Sequence, residues 1–112
     1  MTPRTPSRVH VGRFLVLYAT PTDTDAFDRH YHDVHIPLTK RLPGLRRYSL
    51  SRNVASIRGG DPSYLIAELE WDNLEALRAA FASPEGRDTA DDMTNLTTLS
   101  IVHSMTFEVD EV

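Results

Sequence analysis

Apolar residues recur along the chain with two different periods, and each period predicts one type of element. Residues 11–20, VGRFLVLYAT, form a nearly continuous run of aliphatic and aromatic side chains, which predicts a buried strand. Residues 45–54, LRRYSLSRNV, alternate between apolar and polar and predict a half-exposed strand. Two further strands are predicted at residues 64–71, YLIAELEW, and 99–109, LSIVHSMTFEV.

The segment between the first two strands has the period of a helix. Phe27, Tyr31, Val34 and Leu38 recur at i, i+4, i+7 and i+11, which is one stripe of a helix. The preceding Pro-Thr-Asp turn supplies an N-cap, and the helix is expected to run to about Leu42, before a Pro-Gly pair.

A second helical segment follows the third strand. Asp72 is the predicted N-cap, and Glu75 three residues later completes a capping box. Ser83 and Pro84 predict that the helix restarts there, with Ser83 as the N-cap and Pro84 as the first helical residue.

The element order is therefore β-α-β-β-α-β, which predicts an α+β, ferredoxin-like fold: a four-stranded antiparallel sheet with both helices on one face. In this arrangement the first and third strands are central and the second and fourth are edges. Two helices cover one face of such a sheet, yet the first strand is apolar on both. The helix-free face is expected to pack against a second copy, which makes the protein a homodimer. The first strand's two apolar sets are Phe14, Val16, Tyr18 and Leu15, Leu17, Ala19.

Composition limits the partners. With 112 residues the chain is expected to form one domain, residues 10–112, behind a flexible tail, residues 1–9. A formal charge of −4 argues against nucleic acid as the main partner. Cysteine is absent, and no apolar run reaches the ~18 residues of a membrane span. We expect a cytoplasmic protein without a membrane partner.

Three of the five histidines, His30, His32 and His35, lie within six residues. At about 100° per residue, His30 falls roughly 70° to one side of the apolar stripe and His35 roughly 70° to the other, with His32 towards solvent. His30 and His35 therefore cannot share a small metal ion on a regular helix. His32 and His35 could approach one, but a further ligand at matching spacing is missing unless Asp28 contributes. No metal site is predicted.

Pro37 makes His35 the better candidate for chemistry. Proline deprives the Asp33 carbonyl of its helical partner and should push Ile36 away from helical geometry. The resulting kink would open space between helix and sheet where His35 and Tyr31, one turn apart, meet. His35 could then exchange a proton and Tyr31 could donate to an oxyanion. In the alternative, structural interpretation, His35 caps the freed carbonyl and Tyr31 is an ordinary core residue.

Other polar side chains are candidates for substrate binding. His103 shares an apolar strand face with Met105 and Phe107, although a lone histidine there is more typical of a core or interface. Arg47 and Asn53 share a face of the second strand and could bind a substrate oxygen. His30, at the edge of the apolar stripe, is a further candidate.

The motifs HYHDVHIPL, LPGLRRY and FASPEG, within about residues 12–98, resemble the EthD family of small dimeric α+β-barrel proteins. The resemblance implies a homodimer, and it implies Tyr31 and His35 as the pocket signature, because members vary at the positions of His30 and His32. Similar barrels include muconolactone isomerase, aromatic polyketide cyclases, cofactor-free quinone-forming monooxygenases and heme-binding proteins. The resemblance therefore specifies the fold far better than the reaction.

Three functions follow as hypotheses. The first is a cofactor-independent enzyme that isomerises, cyclises, dehydrates or oxidises a small aromatic, polyketide-like or xenobiotic-derived molecule, with His35 and Tyr31 as acid–base groups. The second is a non-catalytic binder of such a ligand that supports a partner oxygenase. The third is a heme protein with His35 or His103 as the axial ligand.

Overall fold

A computed structural model describes residues 10–112, so the tail predicted at residues 1–9 lies outside the described residues. Its four strands form one antiparallel sheet in the order β2-β3-β1-β4. The strands are β1 (Val11–Tyr18), β2 (Arg47–Ser51), β3 (Leu65–Trp71) and β4 (Val102–Val109). The ferredoxin-like fold is confirmed, with the first and third strands in the centre.

The first helical segment consists of three parts rather than one regular helix. They are α1 (Thr24–His30), a π-helical segment (Tyr31–His35) and α2 (Ile36–Thr39). Asp23 begins the segment as the N-cap, because its carboxylate accepts a hydrogen bond from the Ala26 amide at 3.0 Å.

The π-helical segment lies directly before Pro37, where the sequence predicts a kink. The Ile36 amide donates to the Tyr31 carbonyl, five residues earlier, and Ile36 keeps helical dihedral angles (φ −59°, ψ −49°). The expectation that Pro37 moves Ile36 out of helical geometry is therefore wrong. We attribute the difference to the wider π turn, which takes up the distortion before the proline while the chain stays helical.

The second helical segment has the predicted restart but not the predicted start. Its helices are α3 (Leu74–Ala82) and α4 (Pro84–Thr97), and Ser83 caps α4 as expected. Asn73, not Asp72, caps α3, since its side chain accepts from the Ala76 amide at 2.8 Å. Asp72 pairs instead with Arg46, at 3.3 Å between Oδ1 and Nε.

Gly86 in the first turn of α4 allows this helix to approach the end of α3. A Cβ atom at Gly86 would overlap the carbonyl oxygens of Ala80 and Phe81. No larger residue fits without moving one helix from the other.

The helices cover one face of the sheet and enclose the core. The largest fully buried side chains of this core are Trp71, Tyr18, Tyr31, Phe27, Leu77 and Leu96. On the helix-free face, Leu15 and Leu17 of β1 are only half-buried, and Met105 of β4 is 43% exposed. No helix within residues 10–112 combines the length and the apolar character that crossing a membrane requires.

Candidate active site

A cavity of about 180 Å³ lies between the helical layer and the covered face of the sheet. Most of its wall is apolar, and side chains from the sheet, α3, α4 and the loop after α2 contribute to it. The apolar wall includes Phe14, Val16, Leu42, Leu69, Phe81 and Met93. Polar side chains interrupt this wall, among them His35, Tyr31, Tyr48 and Thr39.

His35 is the last residue of the π-helical segment and is 4% exposed. Its Nδ1 atom lies 2.8 Å from Oδ2 of Asp92 on α4. Because a carboxylate only accepts hydrogen bonds, the imidazole proton is on Nδ1, and Nε2 is left as the acceptor for a molecule in the cavity. Burial lowers the pKa of His35 below 6.5, more than the hydrogen bond and charge of Asp92 raise it. The ring is therefore neutral at pH 7 and can act as a base.

Asp92 binds both histidines of the first helical segment. Its Oδ1 atom lies 2.7 Å from Nε2 of His30 and 3.0 Å from Nδ2 of Asn95. Burial alone would raise the pKa of Asp92, but the hydrogen bonds from Asn95, His35 and His30 outweigh it and hold the pKa below 3.8. Asp92 is thus ionised at neutral pH and would stabilise an imidazolium at His35.

The π-helical segment explains how His30 and His35 reach one carboxylate. On a regular helix they would lie on opposite sides of the apolar stripe, as the sequence predicts. That prediction is wrong, since the wider turn closes between residues five apart and brings both rings to Asp92. His30 keeps a quarter of its side chain exposed. The three residues form a hydrogen-bonded line from the surface to the cavity.

Two phenols complete the polar end. The hydroxyls of Tyr31 and Tyr48 are 2.7 Å apart, and the Tyr31 ring lies 5.2 Å from the His35 ring, centroid to centroid. Burial raises the pKa of both tyrosines above the ordinary value of 10. Both hydroxyls therefore stay protonated at neutral pH. One donates to the other, and the second phenol proton can be donated to a developing oxyanion.

Thr39, one helical turn after His35, is the fourth polar residue and is 2% exposed. Within the described part of the chain its hydroxyl has no hydrogen-bond partner of good geometry. It lies close enough to Tyr48 to oppose the rise in the pKa of that phenol, which burial causes.

The structure separates the other candidate residues from this cavity. His103 pairs with Leu17 and is exposed on the helix-free face, on the far side of the sheet. Arg47 is exposed at the edge of the sheet on that same face, opposite Glu70. Asn53 lies beyond the end of β2 with a left-handed backbone (φ 56°), so it does not share a strand face with Arg47 as expected.

The potential metal ligands point to different partners. Asp28 accepts from the Tyr64 hydroxyl at 2.9 Å, His32 lies 3.0 Å from Arg52, and His35 binds Asp92. Within residues 10–112, no three histidine or carboxylate side chains converge in a way that could hold a metal ion.

Sequence reasoning did not find Asp92, Tyr48 or Thr39. A signal existed for Asp92, which lies four residues before the buried Leu96 and hence on the inward side of α4. Thr39 similarly follows His35 at i+4. Tyr48 shows no comparable signal, since it is one of several aromatic residues at strand positions.

Comparison with known proteins identifies the family. The family model of the EthD domain matches residues 19–100, most of the chain. The chain belongs to the EthD family. The match contains every residue of the polar end, from Tyr31 to Asp92.

Two relatives and one more distant structure are similar to this EthD protein in sequence or in fold. An uncharacterized 11.0 kDa protein from the thcB–thcC intergenic region of Rhodococcus erythropolis is 37% identical over 84 residues, which are 74% of this chain and 81% of that protein. An EthD family protein of Bacillus halodurans is 33% identical with a TM-score of 0.73, over 85% of this chain and 96% of that one. SnoaB, a cofactor-independent oxygenase of Streptomyces nogalater, has the same fold at 22% identity and a TM-score of 0.66, over 92% and 96% of the two chains.

Proposed function

We propose that this EthD protein is a cofactor-independent enzyme that moves a proton on a small aromatic molecule bound in the cavity. The observation that carries the proposal is the buried His35–Asp92 pair at the cavity wall, 2.8 Å apart, beside the hydroxyls of Tyr31 and Tyr48. A neutral base and neutral phenol donors at one end of an apolar cavity are suited to forming and holding an enolate.

The chemistry follows from the roles of these groups. Nε2 of His35 takes a proton from the carbon next to a carbonyl. The C–H electron pair forms a C=C bond, and the π electron pair of the carbonyl moves to its oxygen. The enolate oxygen accepts a hydrogen bond from a phenol, and Asp92 stabilises the imidazolium. Return of the proton to another carbon completes an isomerisation. Attack on a second carbonyl gives a cyclisation, loss of water a dehydration, and reaction of the enolate with dioxygen an oxidation.

The size of the cavity limits the substrate. An engineered apolar cavity of about 150 Å³ in another protein binds benzene. The volume here, about 180 Å³, therefore suits one aromatic ring with a small substituent. A heme on His35, one form of the third hypothesis, does not fit this cavity, because the volume is below even the ~300 Å³ at the lower end of ordinary ligand pockets. The form with His103 would place the heme on the helix-free face, outside this cavity. SnoaB, an oxygenase with this fold and without a cofactor, supports proposing that no cofactor is needed.

Exchange of the methyl hydrogens of acetophenone in D₂O, followed by proton NMR, tests the proposal directly. We expect the wild-type protein to accelerate the exchange and His35→Gln to lower the rate by about 10²–10⁴-fold. Glutamine can still donate to Asp92 but cannot take up a proton. The matched control is His32→Gln, an exposed histidine three residues earlier, which should keep the wild-type rate.

The second candidate function, a binder that supports a partner oxygenase, is favoured by the largely apolar wall of the same cavity. The same samples separate the two functions. Saturable binding of acetophenone without exchange above the rate of free imidazole would contradict the enzyme and support the binder. Absence of binding as well as exchange would contradict both.

We also propose that the protein is a homodimer through the helix-free face. Half-buried Leu15, Leu17 and Ile66 form an apolar stripe there, which Met105 and Phe107 extend along β4. Similar ferredoxin-like proteins described as dimeric, from Bacteroides fragilis and Thermobifida fusca, support this association. Light scattering should give twice the chain mass of 12.7 kDa at micromolar concentration, whereas a single-chain mass would contradict it. The cytoplasmic location stays a prediction.

A further inference from the structure

Thr39 is the buried polar group of the cavity that the reaction described above does not use. Thr39 lines the cavity and is 2% exposed, and its hydroxyl has only a poorly aligned contact with the Tyr48 phenol among the described residues. A hydroxyl buried without a partner destabilises a fold, and valine, which has the same shape, would avoid that cost. A threonine at this position is therefore better explained if a bound ligand supplies the hydrogen-bond partner of its hydroxyl.

The neighbours of Thr39 indicate what this partner is. Tyr31 and Tyr48 use one phenol proton between them, in their 2.7 Å hydrogen bond. Thr39 adds a hydroxyl, which can both donate and accept, close to the Tyr48 phenol and one helical turn from the imidazole. The remainder of the wall is largely apolar. A ligand that matches both the polar groups around Thr39 and the apolar wall has an apolar ring and one oxygen substituent.

The position of Thr39 on the helix fixes where that oxygen would lie. Thr39 follows His35 at i+4, so the two side chains are on one face with Cβ atoms about 5–6 Å apart. An oxygen held at Thr39 therefore leaves the neighbouring carbon of the ligand next to the imidazole. This arrangement suits abstraction of a proton from the carbon next to a ketone carbonyl, or of the hydroxyl proton of a phenol.

We propose that Thr39 is a specificity-determining residue, whose hydroxyl binds the oxygen substituent of a single-ring phenol or aromatic ketone and orients it towards His35. The inference rests on the proposed function, because it concerns the same cavity. It adds the class of substrate and the residue that selects it. It also explains why a polar residue is kept at a site where an apolar one would pack equally well.

Two probes of nearly equal shape, phenol and toluene, test this inference in NMR titrations of the full-length protein. Wild type should bind phenol more tightly than toluene, and Thr39→Val should lower the phenol-to-toluene preference about three- to tenfold. Thr39→Ser, which keeps the hydroxyl, should retain the preference. The matched control is Thr89→Val, because the Thr89 hydroxyl also lies at the cavity but already donates to the Glu85 carbonyl at 2.9 Å. Its preference should equal that of wild type.

Melting temperatures without ligand give an independent readout. Removing a buried hydroxyl that has no partner should leave Thr39→Val more stable than wild type, by about 4–8 °C. A lower melting temperature would show that the hydroxyl has a structural partner and would overturn the inference.

The outcomes separate this inference from the proposed function. If both probes bind and Thr39→Val does not change their ratio, the role of Thr39 is wrong while the cavity remains a binding site for aromatic molecules. If neither probe binds to wild type, both the inference and the proposed function fail.

Discussion

The two faces of the sheet hold their polar side chains in different ways. On the covered face, His35, Asp92 and Tyr31 are buried, and each hydrogen-bonds another polar side chain inside an apolar shell. On the helix-free face, half-buried Arg13 bridges two carboxylates of β3, buried Glu70 at 2.8 Å and half-exposed Glu68 at 3.9 Å, so the polar groups there form ion pairs.

The difference shows what each face is suited for. Burial on the covered face shifts the pKa values of the imidazole and the phenols, which prepares them for proton transfer. The helix-free face combines an apolar stripe with charged side chains that pair with one another, which is a pattern typical of a surface that associates. Substitutions that differ only in the face they reach can test this division.

The largest expected effect comes from placing one charge on either face of β1. Val16 points to the covered face and is 3% exposed, whereas its neighbour Leu15 points to the helix-free face. Val16→Asp buries an unpaired charge and should lower the free energy of unfolding by roughly 3–5 kcal/mol, measured by urea denaturation. Leu15→Asp should leave a folded chain whose mass in light scattering falls to that of a monomer. An unfolded Leu15→Asp, or a Val16→Asp whose free energy of unfolding equals that of wild type, would contradict the assignment of the faces.

A smaller effect is expected from two adjacent aspartates on α4. Asp92→Ala leaves the Nδ1–H group of His35 buried without an acceptor, so the free energy of unfolding should fall by about 1–3 kcal/mol. Asp91 is exposed, and Asp91→Ala should stay within about 0.5 kcal/mol of wild type. Equal losses in chemical denaturation would show that Asp92 does not support the buried polar cluster.

The pH dependence of the free energy of unfolding tests in a second way whether His35 is buried on the covered face. The pKa of His35 is lower in the folded protein than its ordinary 6.5, chiefly because of burial, so between these two values the unfolded chain binds the extra proton. The contribution of His35 is therefore complete above about pH 6.5 and is lost as the pH falls through the folded pKa, with a slope of at most about 1.4 kcal/mol per pH unit.

Urea denaturation between pH 8 and pH 5 measures this slope. His35→Gln should remove the slope, and His32→Gln, which changes an exposed ring, should keep it. A wild-type protein that becomes more stable on acidification across this window would contradict the burial of a neutral imidazole.

The smallest effect is expected for His103, which lies on the helix-free face away from the cavity. His103→Ala should change the rate of acetophenone exchange less than twofold, since the side chain does not reach the bound ligand. A loss as large as that of His35→Gln would instead place the chemistry on the helix-free face.

The sequence by itself determined the order of the elements and the order of the strands in the sheet. These features follow from local patterns: alternation, helical periodicity, and capping residues such as Ser83. The proximity of Tyr31 and His35 could also be predicted from the i, i+4 spacing of a regular helix, and it is retained in the π-helical segment, where the two ring centroids are 5.2 Å apart. The exact cap of α3 could not, since Asp72 and Asn73 are both good capping residues and the difference lies in the backbone at the end of β3.

The tertiary structure alone decided what His35 binds and what surrounds it. Asp92 is 57 residues further along the chain, and only the packing of α4 against the first helical segment brings the two together. The π-helical segment changed the direction of His30 relative to His35, because a single wider turn breaks the angular rule that the sequence prediction uses. Tyr48 reaches the cluster from β2, and its contact with Tyr31 depends on how the sheet lies under the helix. Periodicity encodes which face of an element is buried, but the partner on the opposite layer is set by the way the layers pack.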